Sequence, residues 1–220
     1  MAKTQRRVVP NQILIGLPWK NVRPRYVRII SELEKKYAVH FTIVGRGDSQ
    51  NSDDLLTRIK TRLASSSYAV FDATGGNANV SLEFGYAEGI GLDMALYVST
   101  HKAAQKSADS PIISDLAGRN RVQYKTEKVL KTKLKKLCED HPYTTRFEKA
   151  LKIATSKKDK GGKLRAHALA LKIVHALDDK PFVRRADLVQ RVSSVGCSVA
   201  EVEDLLKQLH TQGVVNCSVG

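Results

Sequence analysis

The chain predicts an α/β fold, with an open five-stranded parallel sheet carrying helices on both faces, followed by a small, mainly helical C-terminal domain. Three observations carry this expectation. Short β-branched apolar runs alternate with helix-length amphipathic segments as far as residue 138, the pattern of βα units feeding a parallel sheet. Two of those runs, Tyr68 to Asp72 (YAVFD) and Met94 to Ser99 (MALYVS), are almost continuously apolar, as strands covered on both faces are. Beyond residue 163 the strand signals stop and helical periodicity takes over.

In chain order, the first strand is Gln12 to Gly16 (QILIG) and the second His40 to Val44 (HFTIV). Between them, Pro24 to Lys36 reads as an amphipathic helix with Val27, Ile30 and Leu33 inward and Arg25, Arg28, Glu32 and Lys36 outward. Asp53 to Ser65 reads as a second helix, opened by an acidic N-cap after Ser52, with Leu55, Leu56, Ile59 and Leu63 on one stripe. Ser65, Ser66 and Ser67 break it before the third strand, Tyr68 to Asp72. Gly75 and Gly76 with two asparagines then make a loop, and Val80 to Ile90 is a helix. Gly85 and Gly89 in that helix allow close approach to the sheet or to a ligand. The fourth strand, Met94 to Ser99, is followed by a short helix over Pro111 to Ala117 that Gly118 ends. Arg121 to Tyr124 is the fifth strand. Thr126 to Cys138, with Val129, Leu130, Leu134 and Leu137, closes the first domain.

This divides the chain into a domain over 1–140, a basic linker region over 141–163 and a helical domain over 164–220. The linker holds His141-Pro142 and SKKDKGGK (Ser156 to Lys163), which joins like charges to paired glycines. Three helices follow: Leu164 to Leu177, Arg184 to Val192 and Ser198 to Gln212. The last opens with a capping box of Ser198 and Glu201 and stops at Gly213. The final pair, joined through Ser193 to Gly196, resembles a helix-turn-helix or truncated winged-helix module.

Net charge is +15, with a pI near 9.8, and lysines crowd residues 125 to 165. Such a surface favours polyanions and leaves two roles open, a solvated lysine-rich face or a contact for nucleic acid or an acidic protein partner. Cys138, Cys197 and Cys217 are far apart and lack metal-ligand spacing, so free thiols in a reducing compartment are expected. No run approaches the ~20 apolar residues of a membrane span, and the basic N-terminal residues lead into no apolar signal segment, so a cytoplasmic location is expected. HExxH, CxxC, GxSxG and P-loop patterns are absent, and no metal is expected.

The informative stretch is Asp72 to Ala87, DATGGNANVSLEFGYA, where an apolar strand ends in a carboxylate and a helix then presents another. It resembles the D-x-T-x-x-N-x-N-V-x-x-E-x-G-x-A stretch of nucleoside 2-deoxyribosyltransferase-like and TIR-like nucleotide-binding proteins. Asp72, Asn77, Asn79, Val80, Glu83, Gly85 and Ala87 match it. Gly16-Leu17-Pro18-Trp19 is similar to that group's G-x-P-aromatic loop, and Ile113 to Gly118 (ISDLAG) to its P-S-D-L-x-G segment. The resemblance covers about residues 11 to 138 and implies a flavodoxin- or TIR-like sheet. It also implies cleavage or transfer at an N-glycosidic bond, with NAD or another nucleotide as substrate or ligand rather than a separate cofactor. Glu83 would be the nucleophile or ion-pair stabiliser, and Asp72 would orient the ribose hydroxyls or assist the leaving base. A defence role is implied in the same way.

Independently of any relative, open α/β sheets bind ligands beyond the carboxyl ends of their strands, where Asp72 and Glu83 both fall. The expectation is that the two carboxylates converge on one small molecule. With Gly16, Pro18 and Trp19, which the resemblance implies, Gly75, Gly76, Asn77, Asn79 and Arg46 are the candidate substrate-binding residues: Trp19 to stack on a base, the amides near Gly75 and Gly76 with Asn79 to hold a phosphate, Arg46 to meet a phosphate. Each has a plainer alternative. Asp72 serves equally as a cap, Trp19 as half-buried packing, Asn77 as a turn former and Arg46 as a surface arginine.

Two function classes result. One is a nucleotide N-glycosidase or transferase using Glu83, expected as a homo-oligomer; the other is a non-catalytic nucleotide-sensing module whose basic C-terminal helices dock on nucleic acid or a protein. For the last helical pair, DNA recognition competes with a dimer or hetero-complex interface made by Leu188, Val192, Val202, Leu205, Leu206 and Leu209. The acidic start of the final helix opposes phosphate.

Overall fold

The structure is a computed structural model that describes residues 8–18, 22–43, 52–101, 120–179, 183–193 and 197–216; for 52–55, 179 and 193 the description is of the backbone. The chain forms two compact units, one of residues 1–33 with 41–136 and one of residues 34–40 with 137–220.

The first unit holds five strands: β1 (Val9–Gly16), β2 (His40–Ile43), β3 (Ser66–Asp72), β4 (Met94–Ser99) and β5 (Arg121–Tyr124). They form one parallel sheet in the order β2-β1-β3-β4-β5. Gly16 lies in register with Phe71, Asp72 with Tyr97, and Ser99 with Tyr124, so these residues share the C-terminal rim. In this order the chain leaves β1 toward one edge and β3 toward the other. The crevice between β1 and β3 is therefore the topological switch point, the place where such sheets hold ligands.

Helices cover both faces: α1 (Arg23–Glu34), α2 (Ser52–Ser65), α3 (Ala78–Gly89) and α4 (Glu127–Asp140). Strand alternation sorts the core. Leu14, Ala69, Phe71, Leu96 and Val98 meet Leu63 of α2 and Val80, Phe84 and Ala87 of α3 on one face. On the other, Tyr26 of α1 reaches Asp72, and α1 is tied to α4 by Arg28–Glu127 at 2.8 Å and by the Lys131–Glu32 ion pair.

Three helices differ in phase from the sequence expectation. In α1 the buried residues are Tyr26, Ile29, Ile30 and Leu33, while Val27 is 47% exposed. A stripe read at steps of three drifts off a helix that turns every 3.6 residues. Leu56 of α2 is likewise exposed, and Val129 of α4 faces outward. Gly85 and Gly89 do not serve close packing, since a Cβ at either would meet no atom within 4 Å.

The second unit is helical, with α5 (Pro142–Ala154), α6 (Lys160–Asp179), α7 (Arg185–Ser193) and α8 (Val199–Thr211). The basic linker expected over 141–163 is instead mostly α5 and the first turn of α6. Tyr143, Phe147, Ala150 and Leu151 recur at helical spacing and are buried, and His141 caps the helix through Nδ1 to the Tyr143 amide. At the paired glycines, Asp159 accepts from the Gly162 amide at 2.7 Å and opens α6.

The core of this unit joins those α5 residues to Leu169, Ile173 and Val174 of α6, to Leu188 and Val192 of α7, and to the apolar face of α8. The capping box of Ser198 and Glu201 is present, and Gly213 adopts φ +66° after the helix, returning Val214 to the core, where its carbonyl accepts from the Tyr143 hydroxyl at 3.0 Å. Leu188, Val192, Val202, Leu205, Leu206 and Leu209 are therefore spent on the unit's own core and do not form an interface. Cys138 is buried and free, and Cys197 is half-buried and free. Among the described residues no helix is long and apolar enough to cross a membrane.

Several expectations lie outside the described residues: the short helix at Pro111 to Ala117 with Gly118, the turn through Ser194 to Gly196, Cys217, Trp19 and Arg46.

Candidate active site

The site is built at the β1/β3 switch point. α3 begins just beyond β3, and its N-terminal turn is fixed locally: the Asn77 side chain accepts from the amides of Asn79 at 2.9 Å and Val80 at 3.3 Å. Gly75 and Gly76 carry φ of 81° and 65°, values open to glycine at little steric cost, and so turn the chain from strand to helix. With that entry set, Val80, Phe84 and Ala87 point to the sheet, and Glu83 lies on the flank shared with Asn79, four residues earlier.

Glu83 is half-buried, and its carboxylate stands over the end of β1. An ideal Cβ built on Gly16 would lie 2.6 Å from Glu83 Oε2 and 2.6 Å from the Phe71 ring. A hydrogen at position 16 is thus what allows the carboxylate and the ring to share the rim. Phe71 is held in turn by an edge-to-face contact with Phe84, centroids 5.6 Å apart. No described donor hydrogen-bonds Glu83. Burial lifts its carboxyl from the ordinary 4.5 to about 7, since among the described residues no cation or N–H compensates the lost hydration. A desolvated carboxylate with free lone pairs at a sheet's ligand edge is an uncommon arrangement for a purely structural group.

Asp72 is placed differently. It follows Phe71 in β3, and alternation turns it to the face of α1. It is fully buried: Oδ2 accepts from the Tyr124 hydroxyl at 2.6 Å and the Tyr26 hydroxyl at 2.9 Å, and Oδ1 from the Thr74 amide at 2.9 Å. Desolvation pushes its carboxyl up, opposed by those donors, and both tyrosines are pushed up by burial and by the carboxylate beside them. The two carboxylates expected to converge therefore sit on opposite faces of β3. Asp72 clamps α1 and β5 to the strand below the rim, and Thr74 extends the clamp by accepting from the Ser99 amide at 2.8 Å.

Of the other expected site residues, Gly16 lies against Glu83 and Pro18 follows it, half-buried, at the end of the described β1 loop. Asn77 is the cap of α3, its turn-forming alternative. The Gly76 amide donates to the Ala73 carbonyl at 3.2 Å, and the Asn79 amide to Asn77, so these two donors are engaged; the Asn79 side chain is exposed at the rim. Tyr26, Tyr124 and Phe71 are the members of this region that sequence reasoning missed. The last residue of β5, a tyrosine at a strand's C-terminal end, was the available signal for Tyr124.

Among the described residues no group of three or more His, Cys, Asp or Glu could hold a metal ion. Compared with known proteins, the chain matches no family model, no curated sequence and no solved structure.

Proposed function

We propose that the first unit cleaves the N-glycosidic bond of a nucleotide, with NAD or a nucleoside monophosphate as the substrate class and Glu83 as the acting carboxylate. The observation that carries this reading is the desolvated carboxylate of Glu83, without a hydrogen-bond donor among the described residues, above Gly16 at the β1/β3 switch point. As the bond from the sugar anomeric carbon to the base nitrogen lengthens, its electron pair leaves with the base and positive charge grows on the ring carbon and oxygen. A carboxylate with no other partner stabilises that charge most, because the growing cation restores the interaction that burial removed. Water then adds to the anomeric carbon and releases a proton, or another acceptor takes the sugar. A pyridinium base such as nicotinamide leaves as a neutral molecule, so no acid is needed to protonate it; the base of a nucleoside monophosphate leaves as an anion and takes up the proton that the adding water releases.

Asn79, on the same helix flank, is the candidate to bond the sugar hydroxyls or phosphate, and Gly16 keeps room for the carboxylate. Asp72 is a positioning residue in this scheme. The resemblance of Asp72 to Ala87 to deoxyribosyltransferase-like and TIR-like proteins supports the same chemistry, and a cytoplasmic defence role is part of the proposal on that resemblance alone.

The test is incubation of the purified protein with NAD and, separately, with nucleoside monophosphates, with free base measured by chromatography. Base release that Glu83→Gln abolishes is the expected result. Release that survives the substitution removes Glu83 from the mechanism. Tight binding of intact nucleotide without release favours a sensing module instead.

A further inference from the structure

A groove of about 610 Å³ opens in the helical unit between α5 and α6. Each helix contributes one stripe at i, i+3, i+4 and i+7: Glu148, Leu151 and Lys152 from α5 with Thr155 at its C-cap, and Lys160, Lys163, Leu164 and His167 from α6. Lys152, Lys160 and Lys163 are exposed and make no ion pair among the described residues. The groove's single carboxylate, Glu148, is already beside His167, with Oε1 to Nε2 at 3.7 Å. Leu164, on the wall, is 66% exposed. The groove therefore joins three uncompensated ammonium groups to an apolar wall, on a chain of net charge +15.

We propose that this groove binds single-stranded nucleic acid, the lysines following the phosphates and bases lying against Leu164 and His167. The features of the groove favour this occupant over an acidic peptide. The groove offers a peptide neither a sheet edge nor a row of apolar pockets, and its cations are lysines, not the arginine cluster that grips acidic motifs with paired hydrogen bonds. Phosphodiesters need only positive charge along a track and a surface for their bases. A duplex hides its bases from the wall. The helix-turn-helix-like pair is the poorer site, because the outward residues of α8 include Glu201 and Asp204, and its apolar face is buried. The inference does not depend on the chemistry assigned to Glu83.

The experiment is fluorescence anisotropy of a labelled 20-nucleotide oligouridylate with the full chain over a range of salt. Three phosphate contacts on a single strand give a slope of log affinity against log salt of about −2. Two triple variants are compared: Lys152, Lys160 and Lys163 each →Gln in the groove, and Lys125, Lys128 and Lys133 each →Gln as an equal charge change at exposed positions outside it. The groove variant is expected to bind at least tenfold more weakly with a nearly flat salt slope, while the control variant keeps the slope. All six lysines are exposed, and circular dichroism verifies that both variants fold. Equal losses in the two variants, an unchanged groove variant, or stronger capture of an oligoglutamate peptide than of the oligonucleotide would overturn the proposal.

Discussion

Replacing Glu83 with glutamine is expected to stabilise the protein while abolishing the proposed base release. The carboxyl is lifted to about 7 in the folded chain against 4.5 in the absence of burial. Each pH unit of that interval corresponds to about 1.4 kcal/mol, so keeping Glu83 ionised inside the fold costs about 3 kcal/mol above pH 7. The sign follows from proton binding. Between pH 4.5 and 7 the folded chain retains a proton that the unfolded chain has lost, so stability falls as pH rises across this interval and levels off above it. Glutamine has the same shape and no charge to desolvate. Urea denaturation of wild type and Glu83→Gln at pH 5 and pH 8 reads the difference: a variant ahead by under about 1 kcal/mol at pH 5, and more stable by up to about 3 kcal/mol at pH 8. A variant no more stable than wild type at pH 8, or a gap that does not change with pH, would refute the reasoning that the site holds an uncompensated carboxylate.

Gly16→Ala is expected to force Glu83 and Phe71 apart, since the new methyl would lie within 2.6 Å of both, and to destabilise by about 1–3 kcal/mol; denaturant midpoints together with base release check it, release falling more than the loss of folded protein explains. Asp72→Asn is expected to destabilise by about 1–3 kcal/mol by weakening acceptance from Tyr26 and Tyr124, with Tyr26→Phe costing about 1 kcal/mol. In both variants base release per folded molecule should stay within a few-fold of wild type, and a loss of several hundred-fold in the fully folded variant would make Asp72 catalytic. In the second unit, His40 is raised by its bond to Glu34 and His175 by its bond to Asp178. Their stabilisation is complete below 6.5 and disappears as pH rises through the raised folded values; for the half-buried and solvent-screened His40–Glu34 pair, at 3.2 Å, it amounts to under about 1 kcal/mol. Hydrogen exchange of residues 34–40 at pH 6 and pH 8, in wild type and His40→Gln, measures it.

The sheet was legible because its strands are short runs rich in β-branched and apolar residues between helix-length segments, two of them almost continuously apolar, and Met94–Ser99 and Arg121–Tyr124 fall where the pattern sets them. Glu83 was legible too, since a strand, a glycine and asparagine loop and a helix in that order place it at the ligand edge. The role of Asp72 was not. Its partners, Tyr26 and Tyr124, lie 46 and 52 residues away, and only the strand order brings them to one face. Helix α5 was missed for a different reason. His141-Pro142 and the SKKDKGGK run marked a linker, although proline is well suited to a helix's first turn and the intervening charges Arg146, Glu148, Lys149 and Lys152 occupy the solvent side of a stripe formed by Tyr143, Phe147 and Leu151. Val27 for Tyr26 was an error of phase: both residues are apolar enough to be buried, and packing against the sheet selects the ring.

The most direct test of the central claim is the titration of Glu83 itself, followed by carbon NMR of glutamate-labelled protein, with Glu83→Gln to assign the signal. The free protein should show this carboxyl titrating near 7, and a cationic ribose mimic should drive it down by at least one pH unit as the positive charge takes its place against the carboxylate. A Glu83 signal titrating near 4.5, or one near 7 that does not respond to the cation, would contradict the account.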